Sequence, residues 1–207
     1  MESKICGIKD SFTLNYIINH NFPPQYIGFI CNYKNSKRFI SFDKLKNLLN
    51  VNKKNISFVS VLVSPNQAFL EKIKNYKFDY FQLYNVSPKE TENIKKKYKK
   101  KIITALTIET KNDVKKYKDY ENISDIILFD SKGYEKSMSF DHSFINDLNS
   151  KKKLMIAGSI KYNDKLDKFK EIADIIDISG GLETSDEKDI TKIDVFLNNV
   201  KKTNDEN

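Results

Sequence analysis

The stretch DIIDISGG, residues 174–181, has the pattern of a buried β-strand that ends on a serine and two glycines. Seven other short apolar or β-branched runs precede it, at residues 4–6, 26–31, 58–63, 78–84, 101–107, 125–130 and 153–157. Lysine-rich stretches of helical period accompany them, for example at residues 42–49, 68–76, 89–98, 165–173 and 190–202. Eight strand–helix units predict a single (β/α)8 barrel over residues 1–207, with a frayed tail at 203–207.

The positions of the glycines favour this barrel over a doubly wound open sheet. The open sheet usually has a glycine-rich turn after its first strand, whereas the first run here continues as CGIKD with one glycine. Five of the six glycines follow predicted strands, namely Gly7, Gly133, Gly158, Gly180 and Gly181. Glycine also marks ordinary turns, but the opposite, helix-to-strand loops contain none. Glycines after the seventh and eighth strands therefore indicate backbone N–H groups that can bind a phosphate.

The net charge of +8 has two interpretations. One is a polyanionic partner such as nucleic acid; the other is a solvated lysine-rich surface, which we favour because the lysines are spread along the chain. Basic character also attracts a small phosphorylated substrate. The chain has no run of about 20 apolar residues and no apolar leader, so no membrane partner is expected. Cys6 and Cys31 are the only cysteines, and we expect reduced thiols in a cytoplasmic protein.

The candidate reactive groups lie where the predicted strands end. Cys6 precedes Gly7, and Asp130 ends the apolar run IILFD, so a thiolate base and a carboxylic acid can face each other across the barrel. Asp177 lies inside the eighth strand, whereas Cys31 is interpreted as a small buried hydrophobe. His20 and His142 have no spacing that is typical of a metal site.

Five segments together resemble the phosphoribosylanthranilate isomerases, which are (β/α)8 barrels of tryptophan biosynthesis. The segments are KICGIK (4–9), SKRFIS (36–41), DYFQLY (79–84), ILFDSKG (127–133) and DISGGLE (177–183). They run from the first strand to the last helix, and the opening KICG followed by SKRFIS is the most specific combination. The resemblance implies an Amadori rearrangement of N-(5-phosphoribosyl)anthranilate without metal or organic cofactor, in a monomer or homodimer.

The resemblance also implies a role for each matching residue. Cys6 matches the general base and Asp130 the general acid, while Arg38 matches the arginine that positions the anthranilate carboxylate. Asp177 matches an acidic residue that orients the site. The phosphate-binding loops are matched by Gly158, Ser159, Ser179, Gly180 and Gly181.

Several positions depart from the family pattern. Tyr84 and Asn85 replace a histidine and a glycine after the fourth strand, and Lys9 replaces a threonine in the first loop. The loop after the sixth strand reads GYEKSMSFDH, and the loop after the seventh reads AGSI, with one glycine where a pair is usual. Lys132 or Lys136 is a candidate source of charge for the phosphate. Three interpretations remain: an active isomerase, a related barrel with another substrate, or a basic binding protein without catalysis.

Arg38 is the single arginine among 36 lysine and arginine residues. Lysine supplies positive charge everywhere else in this chain. Only the guanidinium, however, presents a planar fork that meets a carboxylate with two parallel hydrogen bonds. The alternative is chance survival of a surface residue. The resemblance implies that Arg38 binds the anthranilate carboxylate, which is flat and rigidly held.

Overall fold

The computed structural model describes residues 1–131, 140–146 and 148–206 of the chain. Within them, eight parallel strands pair in chain order and close on themselves, which confirms the predicted (β/α)8 barrel. The strands are β1 (Glu2–Cys6), β2 (Tyr26–Ile30), β3 (Ser57–Val63), β4 (Tyr80–Tyr84), β5 (Lys101–Ile108), β6 (Ile126–Ser131), β7 (Lys153–Ile156) and β8 (Ile175–Ile178). A short hairpin follows, made of β9 (Glu183–Thr184) and β10 (Glu187–Lys188).

Helices follow most of the strands, and side chains cap several of these helices. They are α1 (Ser11–Asn19), α2 (Phe42–Leu48), α3 (Gln67–Ile73), α4 (Pro88–Tyr98), α5 (Lys111–Val114), α6 (Tyr117–Tyr120), α7 (Asp167–Lys170) and α8 (Ile190–Asp205). Ser87 caps α4 ahead of a proline in the first turn, and the Asp189 carboxylate caps α8. Single turns of 3₁₀-helix occur at His142–Ile145 and Gly180–Leu182.

The carboxyl end of α8 corrects one expectation. The helix continues to Asp205, so residues 203–205 are not a frayed tail. Thr203 is buried, and the Asn204 side chain accepts a hydrogen bond from the Met1 ammonium group at 2.6 Å. Polar residues gave a tail pattern in the sequence, but these contacts with the N-terminus hold the last helical turn in place.

The core has two shells that follow the alternation of side chains along each strand. One set of side chains fills the barrel, including Val59, Ile103, Leu128, Met155 and Ile175. The other set packs between the strands and the helices, including Phe29, Phe58, Phe81, Phe129 and Phe196. Most of the strands are apolar on both faces, so their sequences are nearly continuous hydrophobic runs, whereas β1 buries Ser3 and Lys4.

The amino-terminal rim of the barrel carries one contact four times. The residue just before each even-numbered strand accepts a hydrogen bond, through its side chain, from a backbone N–H at the start of the preceding odd-numbered strand. The four contacts are Ser3 N to Gln25, Phe58 N to Asp79, Ile102 N to Asp125, and Leu154 N to Asp174, all at 2.7–2.8 Å. We call these four contacts the rim clamps. They fix strands in pairs, at the end of the barrel opposite the predicted site.

We predict that Asp125→Ala destabilises the fold and leaves the chemistry unchanged. The variant loses a charge-assisted bond to Ile102 N and the ion pair with Lys95, at 2.7 and 2.8 Å. A hydrogen bond to a charged group contributes about 1.5 to 3 kcal/mol, which lowers Tm by roughly 3 to 10 °C for a chain of this size. Thermal unfolding measures this loss. Asp119→Ala, on the exposed side of α6, is the control, and an equal Tm for the two variants would contradict the role of the clamp.

Candidate active site at the carboxyl ends of the strands

A cavity of about 390 Å³ opens at the carboxyl ends of the strands. This size suits a small organic ligand. All nine residues predicted for the site line it: Cys6, Arg38, Asp130, Gly158, Ser159, Asp177, Ser179, Gly180 and Gly181. Gly133, Lys132 and Lys136 lie outside the described residues. The structure therefore brings the predicted site residues together, while their individual roles stay predictions.

Cys6 is the last residue of β1, and its side chain points into the barrel. Burial raises the pKa of the Cys6 thiol above its ordinary value, while the ammonium group of Lys4 acts in the opposite direction. Gly7 follows with a φ of 80° and leaves space for Arg38, whose Cδ would lie 2.5 Å from a Cβ at that position. Glycine at position 7 thus allows the arginine to cross over the end of β1 beside the thiol.

Asp130 lies near the end of β6, where it faces the cavity. Burial raises the pKa of Asp130 to about 6, even though two donors favour its ionised form. The Tyr84 hydroxyl donates to Oδ2 at 2.8 Å, and Ser131 N donates to Oδ1 at 2.8 Å. The Gln82 amide in turn donates to the Tyr84 hydroxyl at 3.1 Å. Tyr84, known from the sequence only as a departure from the family pattern, therefore holds the predicted acid.

An acid–base pair has both reactive forms abundant when the pKa of the acid lies above that of the base. For Asp130 as the acid and Cys6 as the base, the order of the two pKa values is the reverse. The pKa of Asp130 is near 6, whereas that of Cys6 is above its ordinary value. A reaction that needs a protonated Asp130 and an ionised Cys6 then uses a small fraction of the free protein. That fraction is constant between the two pKa values and falls outside them, so Asp130 sets the lower limb of kcat/KM against pH and Cys6 sets the upper limb.

Asp177 lines the cavity from within β8, as the sequence pattern predicts. Its Oδ2 accepts a hydrogen bond at 2.7 Å from Lys4, which is fully buried, while Oδ1 is buried with no hydrogen-bond partner among the described residues. Lys4 and Cys6 are two apart in β1 and so share its inner face. That spacing was a signal for Lys4 in the sequence, and it was missed.

The Arg38 fork holds a carboxylate, but one that belongs to the protein. Nε and Nη2 donate to the two carboxylate oxygens of Glu183 at 2.6 and 2.7 Å. Lys188, also buried, donates to the same carboxylate at 2.6 Å and to the Ser179 carbonyl at 3.0 Å. Burial alone would raise the pKa of Glu183, but these two cations bring it below the usual range. Sequence reasoning missed this cluster, because strands of two residues have no readable pattern.

The same hairpin reaches the loops that follow β1 and β2. Lys9 pairs with Glu187 at 2.8 Å, and Lys37 pairs with Asp186 at 2.7 Å. The hairpin therefore connects the loop after β8 with the loops after β1 and β2. Lys9, which replaces the usual threonine, belongs to this connection.

The loops after β7 and β8 approach each other closely. A Cβ at Gly181 would lie 2.1 Å from the Ile160 carbonyl oxygen, which leaves no space for a side chain. Gly158 and Ser159 both have left-handed backbone, with φ of 95° and 52°. The Ser179 hydroxyl is not directed outward, since it donates to the Cys6 carbonyl at 3.0 Å. Phosphate binding by these loops stays a prediction.

The remaining cysteine and the histidines lie apart from this chemistry. Cys31 is buried, and its thiol donates to the Phe29 carbonyl at 3.1 Å. His20 contacts Asp194 at 3.2 Å, and His142 packs between the rings of Phe140 and Phe169. Across residues 1–131, 140–146 and 148–206, no group of three or more His, Cys, Asp or Glu side chains could hold a metal ion.

The lysine run at 95–101 is largely occupied by contacts within the protein. Lys95, Lys96 and Lys97 pair with Asp125, Glu92 and Glu71 at 2.6–2.8 Å. Lys100 donates to the Phe78 carbonyl at 2.8 Å. These contacts support the interpretation of the run as part of the protein surface. In the part of the chain that the structure describes, no helix has the length and apolar character needed to span a membrane.

The closed barrel, with a thiol and a carboxyl group in one cavity at the carboxyl ends of its strands, has the architecture of a (β/α)8-barrel enzyme. A sequence model of the N-(5'-phosphoribosyl)anthranilate (PRA) isomerase family matches residues 3–199. The chain belongs to this family. It is 30% identical to the N-(5'-phosphoribosyl)anthranilate isomerase of Rhizobium johnstonii, over 97% of this chain and 94% of that one. The isomerase of Listeria monocytogenes serotype 4b is 29% identical, over 96% and 97%.

Solved structures of such enzymes have the same fold. The phosphoribosyl anthranilate isomerase of Thermotoga maritima has a TM-score of 0.85 at 20% identity, with 98% of this chain and 99% of that chain covered. A phosphoribosyl anthranilate isomerase in complex with reduced 1-(o-carboxyphenylamino)-1-deoxyribulose 5-phosphate has a TM-score of 0.83 at 21% identity and the same coverage. At these identities the likeness shows the fold.

We predict that Tyr84→Phe shifts the lower limb of the pH profile. Without the hydroxyl donor the Asp130 carboxylate is less stable, so its pKa rises further above about 6 and the limb moves to higher pH. The pH dependence of kcat/KM measures the shift. Tyr80→Phe is the matched control, because Tyr80 is on the same strand but packs against Tyr26 at the other end of the barrel. An unmoved limb in Tyr84→Phe would mean that the hydroxyl does not act on the acid.

Proposed function

We propose that this chain catalyses the Amadori rearrangement of N-(5'-phosphoribosyl)anthranilate to 1-(2-carboxyphenylamino)-1-deoxyribulose 5-phosphate, a step of tryptophan biosynthesis. The observation that carries the proposal is the cavity that Cys6 and Asp130 share, with a thiol on β1 and a carboxyl group on β6. The names of the relatives in the family support the same substrate. The proposal places the reaction in the cytoplasm, in a monomer or homodimer.

Asp130 is the acid of the first step. Its raised pKa, about 6, leaves a fraction of the carboxyl groups protonated near neutral pH. The proton passes to the furanose ring oxygen, the bond from C1' to that oxygen breaks, and the anthranilate nitrogen forms a double bond to C1'. The product of this step is an open-chain iminium ion, and Asp130 becomes a carboxylate that Tyr84 and Ser131 stabilise.

Cys6 is the base of the second step. Its thiolate removes the proton from C2', and the electron pair moves into a C1'–C2' double bond while the nitrogen becomes a neutral amine. The enolamine then gains a proton at C1' and loses one from the C2' hydroxyl, which gives the aminoketose. The iminium ion itself accepts the electrons, so these steps call for no metal or organic cofactor.

The two ends of the substrate carry charge, and the cavity has candidate groups for each. The backbone of Gly158, Gly180 and Gly181 approaches the cavity without side chains, which suits a phosphate held by N–H groups. Arg38 is the candidate for the anthranilate carboxylate. Glu183 uses the edge formed by Nε and Nη2, so the Nη1 side of the guanidinium is the edge available for a substrate.

Cys6→Ala tests the proposed base. Turnover of phosphoribosylanthranilate, followed by the loss of its fluorescence, should fall by about 10² to 10⁴, the usual contribution of a general base. The fold should persist, because alanine fits the space of a cysteine. Cys31→Ala is the matched control and should retain turnover, since Cys31 is buried outside the cavity lining.

Turnover of Cys6→Ala above a tenth of the wild-type rate would remove Cys6 from the mechanism. A wild-type protein that binds the substrate without converting it would contradict the whole proposal. Conversion of another aminated sugar phosphate in its place would point to a related barrel with an altered substrate.

Arg38→Lys tests the proposed carboxylate contact. Lysine keeps the charge and loses the fork, so kcat/KM should fall about 10- to 150-fold, equivalent to roughly 1.5 to 3 kcal/mol. Lys34→Met, exposed in the same loop, is the control. Because Arg38 also binds Glu183, Tm is measured beside kcat/KM. A loss confined to Tm would mean that Arg38 only fastens the hairpin.

A further inference from the structure

Lys4 is a charged residue in the interior of the barrel. Its side chain is fully buried, and its ammonium group donates to Asp177 Oδ2 at 2.7 Å. A buried ion pair contributes little or no net stability relative to apolar side chains of similar size, because both charges lose their hydration. Lys4 therefore calls for an explanation other than packing.

Gly28 has no side chain, and this leaves space in which Lys4 and Cys6 lie close together. A Cβ at Gly28 would lie 2.8 Å from Cys6 Sγ and 3.2 Å from Lys4 Nζ. The two atoms therefore border the same small space on the inner side of β2, at most 6.0 Å apart, the sum of these distances. An opposite charge within about 4 to 6 Å favours the charged form of a titratable group. One N–H of the ammonium group binds Asp177, and two remain for other acceptors.

We propose that Lys4 is a positioning residue that stabilises the thiolate of Cys6 from below, in a space that Gly28 leaves open. Asp177 neutralises Lys4 while Cys6 is a thiol. When the thiol loses its proton, the ammonium group bridges two anions, so the barrel interior accommodates the new charge without water. The inference rests on the proposed role of Cys6 as the base.

Lys4 is the cation best placed for this role among the charged groups around Cys6. The other titratable groups that face it are Asp177 on β8, Lys188 on β10, Tyr84 on β4, Asp130 on β6, and Arg38 and Cys31 beyond β2. Arg38 and Lys188 are both engaged by Glu183, at 2.6 Å each. Lys4 is on the same strand as Cys6, borders the space at Gly28 together with the sulfur atom, and does not line the substrate cavity.

The two members of the ion pair should act on Cys6 in opposite directions. Lys4→Met removes a cation, so the pKa of Cys6 rises. Asp177→Asn removes an anion and releases the ammonium group to the sulfur, so the pKa of Cys6 falls. A purely structural role predicts damage of the same kind from both variants, since each breaks the same pair.

Alkylation by iodoacetamide as a function of pH, read by mass spectrometry, tests the inference directly. In a Cys31→Ala background, Cys6 is the sole thiol. At pH 7.5 Lys4→Met should react at least about tenfold more slowly and Asp177→Asn faster than the parent. The neutral plateau of kcat/KM for Lys4→Met should fall by the same factor, and its upper limb should move to higher pH. Circular dichroism checks the fold of each variant.

Gly28→Ala provides a second route should Lys4→Met fail to fold. Its methyl group would occupy the space between sulfur and nitrogen, so it should slow alkylation as Lys4→Met does. Alkylation of Lys4→Met or Gly28→Ala within twofold of the parent, or the same direction of change in Lys4→Met and Asp177→Asn, would overturn the inference. The alkylation series does not use turnover, so a failure of the proposed base role, seen with Cys6→Ala, gives a different result.

Discussion

The pairing of β1 with β8 closes the barrel and makes the site possible. In that register Lys4 lies opposite Asp177, and Cys6 lies just beyond Ile5, which is opposite Ile178. The Ser179 hydroxyl then binds the Cys6 carbonyl, so the loop after the last strand is fixed to the end of the first. Residues separated by more than 170 positions thus form one site, and the site depends on a long-range contact rather than on local sequence.

The pKa values of Cys6 and Asp130 follow from their burial, which the neighbouring charges and hydrogen-bond donors offset only in part. Each reactive group is desolvated, which raises the pKa of both Cys6 and Asp130. For an acid this shift provides a proton near neutral pH, whereas for a base it withholds the reactive form. Burial alone therefore suits the proposed acid, whereas the proposed base requires a cation. The buried Lys4, which we propose for this role, lies beside the thiol.

The sequence predicted most of the fold because most of the strands are apolar on both faces and several are followed by glycine. The ends of the strands also predicted Cys6, Asp130 and the glycines after β7 and β8, since the carboxyl ends of parallel strands meet at one face. Arg38, Ser159 and Ser179 were predicted from the family resemblance. Contacts across the barrel could not be predicted. Glu183 engages Arg38 through a hairpin of two-residue strands, and Gly181 is required by the approach of Ile160 from another loop. The end of α8 was missed because its stabilising partner, Met1, is at the other end of the chain.

The rim clamps have a consequence for how the barrel is put together. Each clamp joins an odd strand to the even strand that follows it, so the described contacts divide the barrel into four quarter-barrels of two strands each. Within each quarter-barrel the clamp closes a loop of about 20 residues. The entropy cost of closing so short a loop is small, so the clamp can form early in folding. Neighbouring quarter-barrels must still be brought into register with each other through the backbone hydrogen bonds between their strands. No rim clamp spans the boundaries before β3, β5 and β7, so we expect the chain to tolerate division or exchange there better than within a clamped pair.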